Sequence, residues 1–332
     1  MKHLLVRLGS LGDVIHAIPA AAALRAHDPA GRVDWLVDPR YADVVRMVRG
    51  VDRVIPLDPR DDKLRLLATL SALRRTRYDV VFDVQGLIKS AALTWLTGAK
   101  RTFGMPRAHL REQAAQIFYT DTPDLGDVTH VIDKGLALVA NVGAKAVEPA
   151  FPLEIPPSGP TREVVARHRS GFALLNPGAA WPNKQWPADR FGALAVHLRG
   201  DQGLPSVVLW GPAERERAEQ VVAASEGAAT LAPETRITDI FSMAKATRLV
   251  VSGDTGPLHI ACAVGTPVVA LFGPTSAGRN GPWSLDDRVI ARTSECECLY
   301  QRQCRRAARC IDDIPAGEVI AAVADRLSLV RA

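Results

Sequence analysis

Short runs rich in branched aliphatic residues alternate with longer helix-period segments along nearly the whole 332-residue chain. That alternation is the pattern of β-α-β units, which close a parallel sheet between layers of helix. In the first half the expected strands are residues 4–8, 33–37, 53–55, 80–84 and 101–104, with helices near 15–26, 41–48, 63–75 and 87–96. Strands follow in the second half at 173–176, 207–210, 249–252 and 267–272, with helices near 187–199, 213–224, 237–246 and 257–264. A last helix is expected over about 316–330. The fold class is therefore α/β, with two doubly wound, Rossmann-like units in tandem. Length agrees, because a single core seldom grows past about 250 to 300 residues. Residues 149–160 hold five prolines, which excludes a helix interior and suits an extended connector. Domains are thus expected at 1–155 and 165–314, followed by a terminal helical segment at 315–332. Such sheets bind ligands outside the carboxyl ends of their strands, so a cleft where the two domains face each other is the expected site.

With 47% hydrophobic and 23% charged residues, the chain has the material of a globular core, which excludes disordered and fibrous classes. Its formal net charge of +5 falls mostly before Ala150 and accompanies no nucleic-acid motif. Nucleic acid is therefore not an expected partner. Arg7 and Asp13 interrupt the opening apolar run before it reaches the length of a secretion signal. The stretch from Val14 to Leu24 contains His16 and Pro19 and is well short of the ~20 residues that span a bilayer. A cytoplasmic location is expected. Four of the five cysteines crowd between Cys296 and Cys310, which fits a reducing compartment better than a disulfide scaffold.

After the first expected strand comes Gly9-Ser10-Leu11-Gly12-Asp13. Its glycines permit a tight turn into a helix, yet the full G-x-G-x-x-G fingerprint of a nicotinamide site is absent. Asp13 falls in the first helical turn, either as a capping carboxylate or as a base that can take a proton from a hydroxyl. The segment Ser252-Gly253-Asp254-Thr255-Gly256-Pro257-Leu258-His259 starts a helix with proline in its first turn. Such a start is either an ordinary capped helix or a site whose N–H groups and dipole receive a diphosphate. His259 is a structural histidine or part of that pocket. Lys184, in a Gly/Pro/Trp-rich loop, is either solvated or the counter-charge of a leaving phosphate. Glu214, after Trp210-Gly211-Pro212-Ala213, either caps a helix or accepts from sugar hydroxyls.

Together with Phe82-Asp83-Val84-Gln85-Gly86-Leu87-Ile88-Lys89-Ser90, Lys184-Gln185-Trp186-Pro187 and Leu271-Phe272-Gly273-Pro274-Thr275, this ordered series resembles the ADP-heptose:lipopolysaccharide heptosyltransferases, glycosyltransferase family 9, over nearly the whole chain. The resemblance implies a GT-B fold, with acceptor on the first domain, nucleotide sugar on the second, and the last helix crossing back to the first. It implies an inverting transfer of heptose from ADP-L-glycero-D-manno-heptose to the Kdo or heptose inner core of lipopolysaccharide. Asp13 is then the general base and Lys184 stabilises the leaving ADP. Glu214, Asp254, Thr255, Gly256 and His259 bind the donor, and Ser10, Gly12, Gln85 and Lys89 the acceptor. No cofactor is implied for the transfer. The implied partners are an ADP-sugar and an anionic, lipid-linked oligosaccharide at the cytoplasmic face of a Gram-negative inner membrane, where the enzyme would sit peripherally. Arg60, Lys63, Arg74, Arg75 and Arg77 fit such a partner, and equally an ordinary solvated helix face.

Cys296, Cys298, Cys304 and Cys310 give C-x-C-x5-C-x5-C, the ligand number of a structural zinc or iron-sulfur centre at an irregular spacing. A disulfide or free thiols are the alternatives. Cys262 reads as a small buried hydrophobe. Two other functions suit the same architecture: a GT-B transferase or epimerase using another sugar nucleotide, and a non-catalytic sugar-nucleotide or glycolipid binding protein.

Overall fold

The computed structural model describes residues 1–58, 60, 62–294 and 296–331, the last two by backbone alone. Its chain divides into two compact units, Met1–Glu154 and the part from Ile155 on, so the division falls inside the proline-rich stretch.

In the first unit, β1 (Lys2–Val6), β2 (Arg32–Val37), β3 (Arg53–Pro56), β4 (Val80–Asp83) and β5 (Arg101–Gly104) form one parallel sheet in the order β3-β2-β1-β4-β5. Central β1 pairs Leu5 with Trp35 on one side and with Phe82 on the other. From Leu4 to Val6 it is buried on both faces, which is why that part is an apolar run rather than an alternation. Among the described residues six α-helices accompany the sheet: α1 (Leu11–His16), α2 (Ile18–His27), α3 (Ala42–Arg46), α4 (Lys63–Thr76), α5 (Ile88–Leu96) and α6 (Val131–Ala140). The single helix expected over 15–26 is two, because Pro19 lies in the first turn of α2, where its missing N–H breaks no hydrogen bond.

The second unit holds β6 (Ala173–Asn176), β7 (Ser206–Val208), β8 (Ala229–Leu231), β9 (Leu249–Gly253), β10 (Val268–Phe272) and β11 (Arg288–Ala291), a parallel sheet ordered β11-β10-β9-β6-β7-β8. Its helices are α7 (Gly159–Arg167), α8 (Ala188–Gln202), α9 (Arg215–Ala223), α10 (Ile237–Ala246), α11 (Gly256–Ala263), α12 (Ala277–Asn280) and α13 (Ala316–Arg331). Val319, Val323 and Leu327, a stripe at four-residue spacing, are buried with Leu198, Val269 and Ile290 in the core of the second unit itself. The terminal helix therefore packs on α8, β10 and β11, where that stripe covers the apolar edge of the sheet. Ala332, the end of the expected segment, lies outside the described residues. Among the described residues no helix is long and apolar enough to cross a membrane.

Candidate active site

Strands β1 and β4 end side by side, with Val6 paired to Asp83. The chain leaving each strand carries the residues expected on the acceptor side. Asp13 sits in the first turn of α1, and its Oδ2 accepts from the Ser10 N–H at 3.0 Å and the Ser10 hydroxyl at 3.1 Å. The capping arrangement is thus present, but it uses one oxygen. The other, Oδ1, is ion-paired with Arg7 Nη2, and Arg7 Nη1 donates to the Val84 carbonyl at 2.7 Å. The Asp13 carboxylate remains 27% exposed, oriented from within the protein and open to a hydroxyl arriving from outside. Gln85 Oε1 accepts from the Leu8 N–H at 2.7 Å, which ties the loop after β4 to the loop after β1. Gly12 is buried, Ser10 is exposed, and Lys89 is exposed in the first turn of α5.

Two residues here carry more than their sequence suggested. Arg7 follows an apolar strand directly, and that misplaced charge was the only signal of its pairing. Asp83 is fully buried and accepts from the N–H groups of Gln85 and Gly86 at 2.8 and 3.1 Å, the Ser90 hydroxyl at 2.8 Å and the Tyr119 hydroxyl at 2.7 Å. Burial pushes its carboxyl above the usual range in spite of these donors. Asp83 fixes the turn that presents Gln85.

In the second unit, Asp254 links β9 to α11, and its side chain is 5% exposed. Lys184 Nζ lies 2.6 Å from its Oδ2 and donates also to its backbone carbonyl at 3.3 Å. The Thr275 hydroxyl donates to Oδ2 at 2.7 Å, Asn280 Nδ2 donates to Oδ1 at 2.7 Å, and His259 Nε2 is 3.2 Å from Oδ1. Burial alone would push this carboxyl up, but the hydrogen bond and charge of His259, then the charge of Lys184, outweigh it and hold Asp254 well below the usual carboxylate range. The Lys184 loop reaches the strand end because Gly253 has no side chain. A Cβ there would stand 2.9 Å from the Lys184 carbonyl.

Thr255 occupies the N-cap position of α11 in an extended conformation, and its own side chain makes no capping hydrogen bond to that helix start. The Thr255 hydroxyl accepts instead from Asn176 Nδ2 at 2.9 Å, and the same amide reaches Ser252 Oγ at 3.0 Å. First-turn N–H groups that the N-cap side chain does not engage, at the positive end of a helix dipole, suit an anion. Glu214 holds the N-cap position of α9, with Oε2 accepting from the Gly211 N–H at 3.2 Å. Its carboxylate rests over Gly178, where a Cβ would come within 2.2 Å. Glu214 therefore stands between the loops that follow β6 and β7. Thr275, Asn280 and Asn176 were not singled out from the sequence, since an isolated hydroxyl or amide in a loop carries no spacing signal.

The cysteine segment reads in sequence as a metal centre, a disulfide or free thiols. All five cysteines are free thiols, and among the described residues no group of three or more His, Cys, Asp or Glu side chains is placed to hold a metal ion. Cys296 and Cys298 approach to 3.6 Å between sulfurs, but Cys310 is buried at the start of the turn Cys310–Asp313, whose Ile311 joins the core. The Cys310 thiol is pushed up to about 12 by burial and by the neighbouring Cys296, Cys298 and Cys304. What this segment does hold is the loops around Asn183 and Thr275. Asn183 Nδ2 donates to the Gln301 carbonyl at 2.8 Å, the Tyr300 N–H to the Pro274 carbonyl at 2.8 Å, and the Thr293 hydroxyl to the Thr275 carbonyl at 2.8 Å. Cys262 is partly buried, and burial pushes its thiol well up.

Residues 66–308 match the family model described as glycosyltransferase family 9 (heptosyltransferase). The chain is similar to lipopolysaccharide heptosyltransferase 1 of Pseudomonas aeruginosa, 31% identical over 92% of this chain and 87% of that one. It is similar also to lipopolysaccharide heptosyltransferase 1 of Escherichia coli, at 27% identity over 89% and 95%. Among solved structures, E. coli heptosyltransferase WaaC with ADP superposes with a TM-score of 0.79 at 24% identity, covering 98% of this chain and all of that one. That likeness identifies the fold as GT-B, two Rossmann-like units in one chain. The protein belongs to glycosyltransferase family 9, the heptosyltransferases, and is a glycosyltransferase.

Proposed function

We propose that the protein transfers L-glycero-D-manno-heptose from its ADP-activated form to the Kdo or heptose inner core of lipopolysaccharide, at the cytoplasmic face of the inner membrane of a Gram-negative bacterium. The observation that carries the reading is the pairing of Lys184 with Asp254 directly before the start of α11. That is a place built for a departing diphosphate, in a chain similar to named heptosyltransferases.

In the proposed reaction the first unit binds the acceptor and the second the donor. An acceptor hydroxyl oxygen attacks the anomeric carbon of the heptose while Asp13 takes the hydroxyl proton. The carbon–oxygen bond to the β-phosphate breaks as the new glycosidic bond forms, its electron pair leaves with ADP, and one displacement inverts the anomeric centre. Lys184 and the N–H groups of α11 stabilise the charge that develops on the diphosphate. Asp254 and His259 hold that lysine and helix start in place. Glu214 accepts from hydroxyls of the ribose or the sugar, and Ser10, Gln85 and Lys89 position the acceptor. The displacement balances without a cofactor.

Isothermal titration with ADP, UDP and GDP tests the donor side first. Selective ADP binding that is lost in Lys184→Ala, followed by transfer from ADP-heptose to a Kdo-terminated acceptor, supports the reading. A preference for UDP or GDP discards the heptose.

A further inference from the structure

Helix α4 has two apolar faces. Leu66 and Leu70 pack against the core of the first unit and Leu73 is buried within it, which is the face a sheet-covering helix requires. Leu64 and Leu67, however, are 79% and 61% exposed. With Ala68 and Ser71 they make a stripe at i, i+3, i+4 and i+7, on the side opposite the core. The sequence of α4, Lys63-Leu64-Arg65-Leu66-Leu67-Ala68-Thr69-Leu70-Ser71-Ala72-Leu73-Arg74-Arg75-Thr76, contains four basic residues and no acidic one. Lys63, Arg65, Arg74 and Arg75 are all exposed beside this stripe, and Arg77 follows them.

The neighbouring helix exposes apolar side chains as well. Arg74 Nε donates to the Leu96 carbonyl at 2.9 Å, tying the end of α4 to the end of α5. There Trp95 is 57% exposed, and its ring lies 6.4 Å from that of Phe118. Ile117 beside it is 80% exposed. Outward leucines, a tryptophan at the rim and a border of basic residues, broken by Asp62 at the N-cap of α4 where it pairs with Arg65 at 3.5 Å, are the composition of a surface that lies in the headgroup boundary of an anionic bilayer. A second copy of the chain fits less well, since a two-fold contact through this face would bring its basic borders together.

We propose that the outer face of α4, with Trp95 and Ile117, docks the protein on an anionic lipid surface, with Leu64 and Leu67 entering the acyl boundary and the basic residues meeting the headgroups. This deepens the reading of a lipid-linked acceptor and rests on it. The test is co-sedimentation with vesicles of phosphatidylethanolamine containing about a third phosphatidylglycerol, run beside transfer to a lipid-free acceptor sugar. Binding should weaken about tenfold or more in a Leu64→Glu, Leu67→Glu double variant, while transfer to the lipid-free sugar stays as in the parent. In a Leu67→Trp variant, emission should shift to the blue on the anionic vesicles and stay unchanged on phosphatidylcholine alone. Undiminished vesicle binding by the double variant overturns the proposal, as does a chain dimer in sedimentation that this variant dissolves. Lack of transfer to any heptose acceptor by the parent, with vesicle binding intact, would instead refute the proposed function and leave the lipid surface standing.

Discussion

Lys184 Nζ stands 2.6 Å from Asp254 Oδ2, with the two side chains 15% and 5% exposed. An ion pair this enclosed contributes through geometry, because removing one partner strands the other in a poor solvent for charge. Asp254→Asn keeps the shape and deletes the charge. It should lower the unfolding free energy by about 3 kcal/mol, measured by urea denaturation, and should reduce ADP affinity as Lys184 loses its anchor. A variant as stable as the parent would show that Lys184 finds water instead.

The same carboxylate sets an acid limit. Its folded pKa lies below the ordinary 3.8 of the unfolded chain, so its contribution is complete above that value and is lost as pH falls through and below it. Acid unfolding followed by circular dichroism should therefore be displaced in Asp254→Asn, whose stability lacks this part of the pH slope.

Asp13 should be separable from binding. Asp13→Ala should cut kcat by about 10² to 10⁴ and leave the dissociation constant for ADP unchanged, by titration and steady-state kinetics on one preparation. Near-normal turnover would remove Asp13 from the role of base.

Gly178 and Glu214 offer a double-mutant cycle. A methyl at position 178 meets the Glu214 carboxylate at 2.2 Å and must turn it away, so Gly178→Ala should weaken sugar-nucleotide binding about as much as Glu214→Ala. Combining them should add little. Full additivity, by titration calorimetry, would separate Glu214 from the donor.

Tyr119→Phe removes one of four donors to the buried Asp83. The expected cost is about 1 to 3 kcal/mol of stability, read from chemical denaturation.

The α/β class and the GT-B architecture were legible because parallel strands buried on both faces must be short apolar runs and their crossovers must be helices. Elements that escaped notice were those whose pattern was weak. Strands β8 and β11 are sheet edges of three and four residues, too short for a period. Helix α6 carries Gly135 in its middle, and α7 begins under Pro160, which marked a connector in the sequence and is a first-turn proline in the structure. The stripe on α13 was readable, but a stripe does not name the surface that covers it. At the site, Asp13, Lys184 and Asp254 stood out through motif and order. Arg7, Thr275 and Asn280 did not, because their partners are distant in the chain or their residue types are common in loops. The cysteines are a different case: four thiols close in sequence suggested a shared ligand, and although the fold keeps Cys310 near Cys296, Cys298 and Cys304, among the described residues no group is placed to hold a metal ion.

Lys184 is held by a carboxylate, a carbonyl and the face of Trp181, 4.7 Å from its ammonium. A free lysine surrenders up to about 2 kcal/mol of rotamer entropy when it is immobilised. Here that loss is taken during folding, in the absence of any nucleotide. A diphosphate then meets a cation whose position is already decided, and its binding enthalpy need not offset the ordering of the chain that receives it.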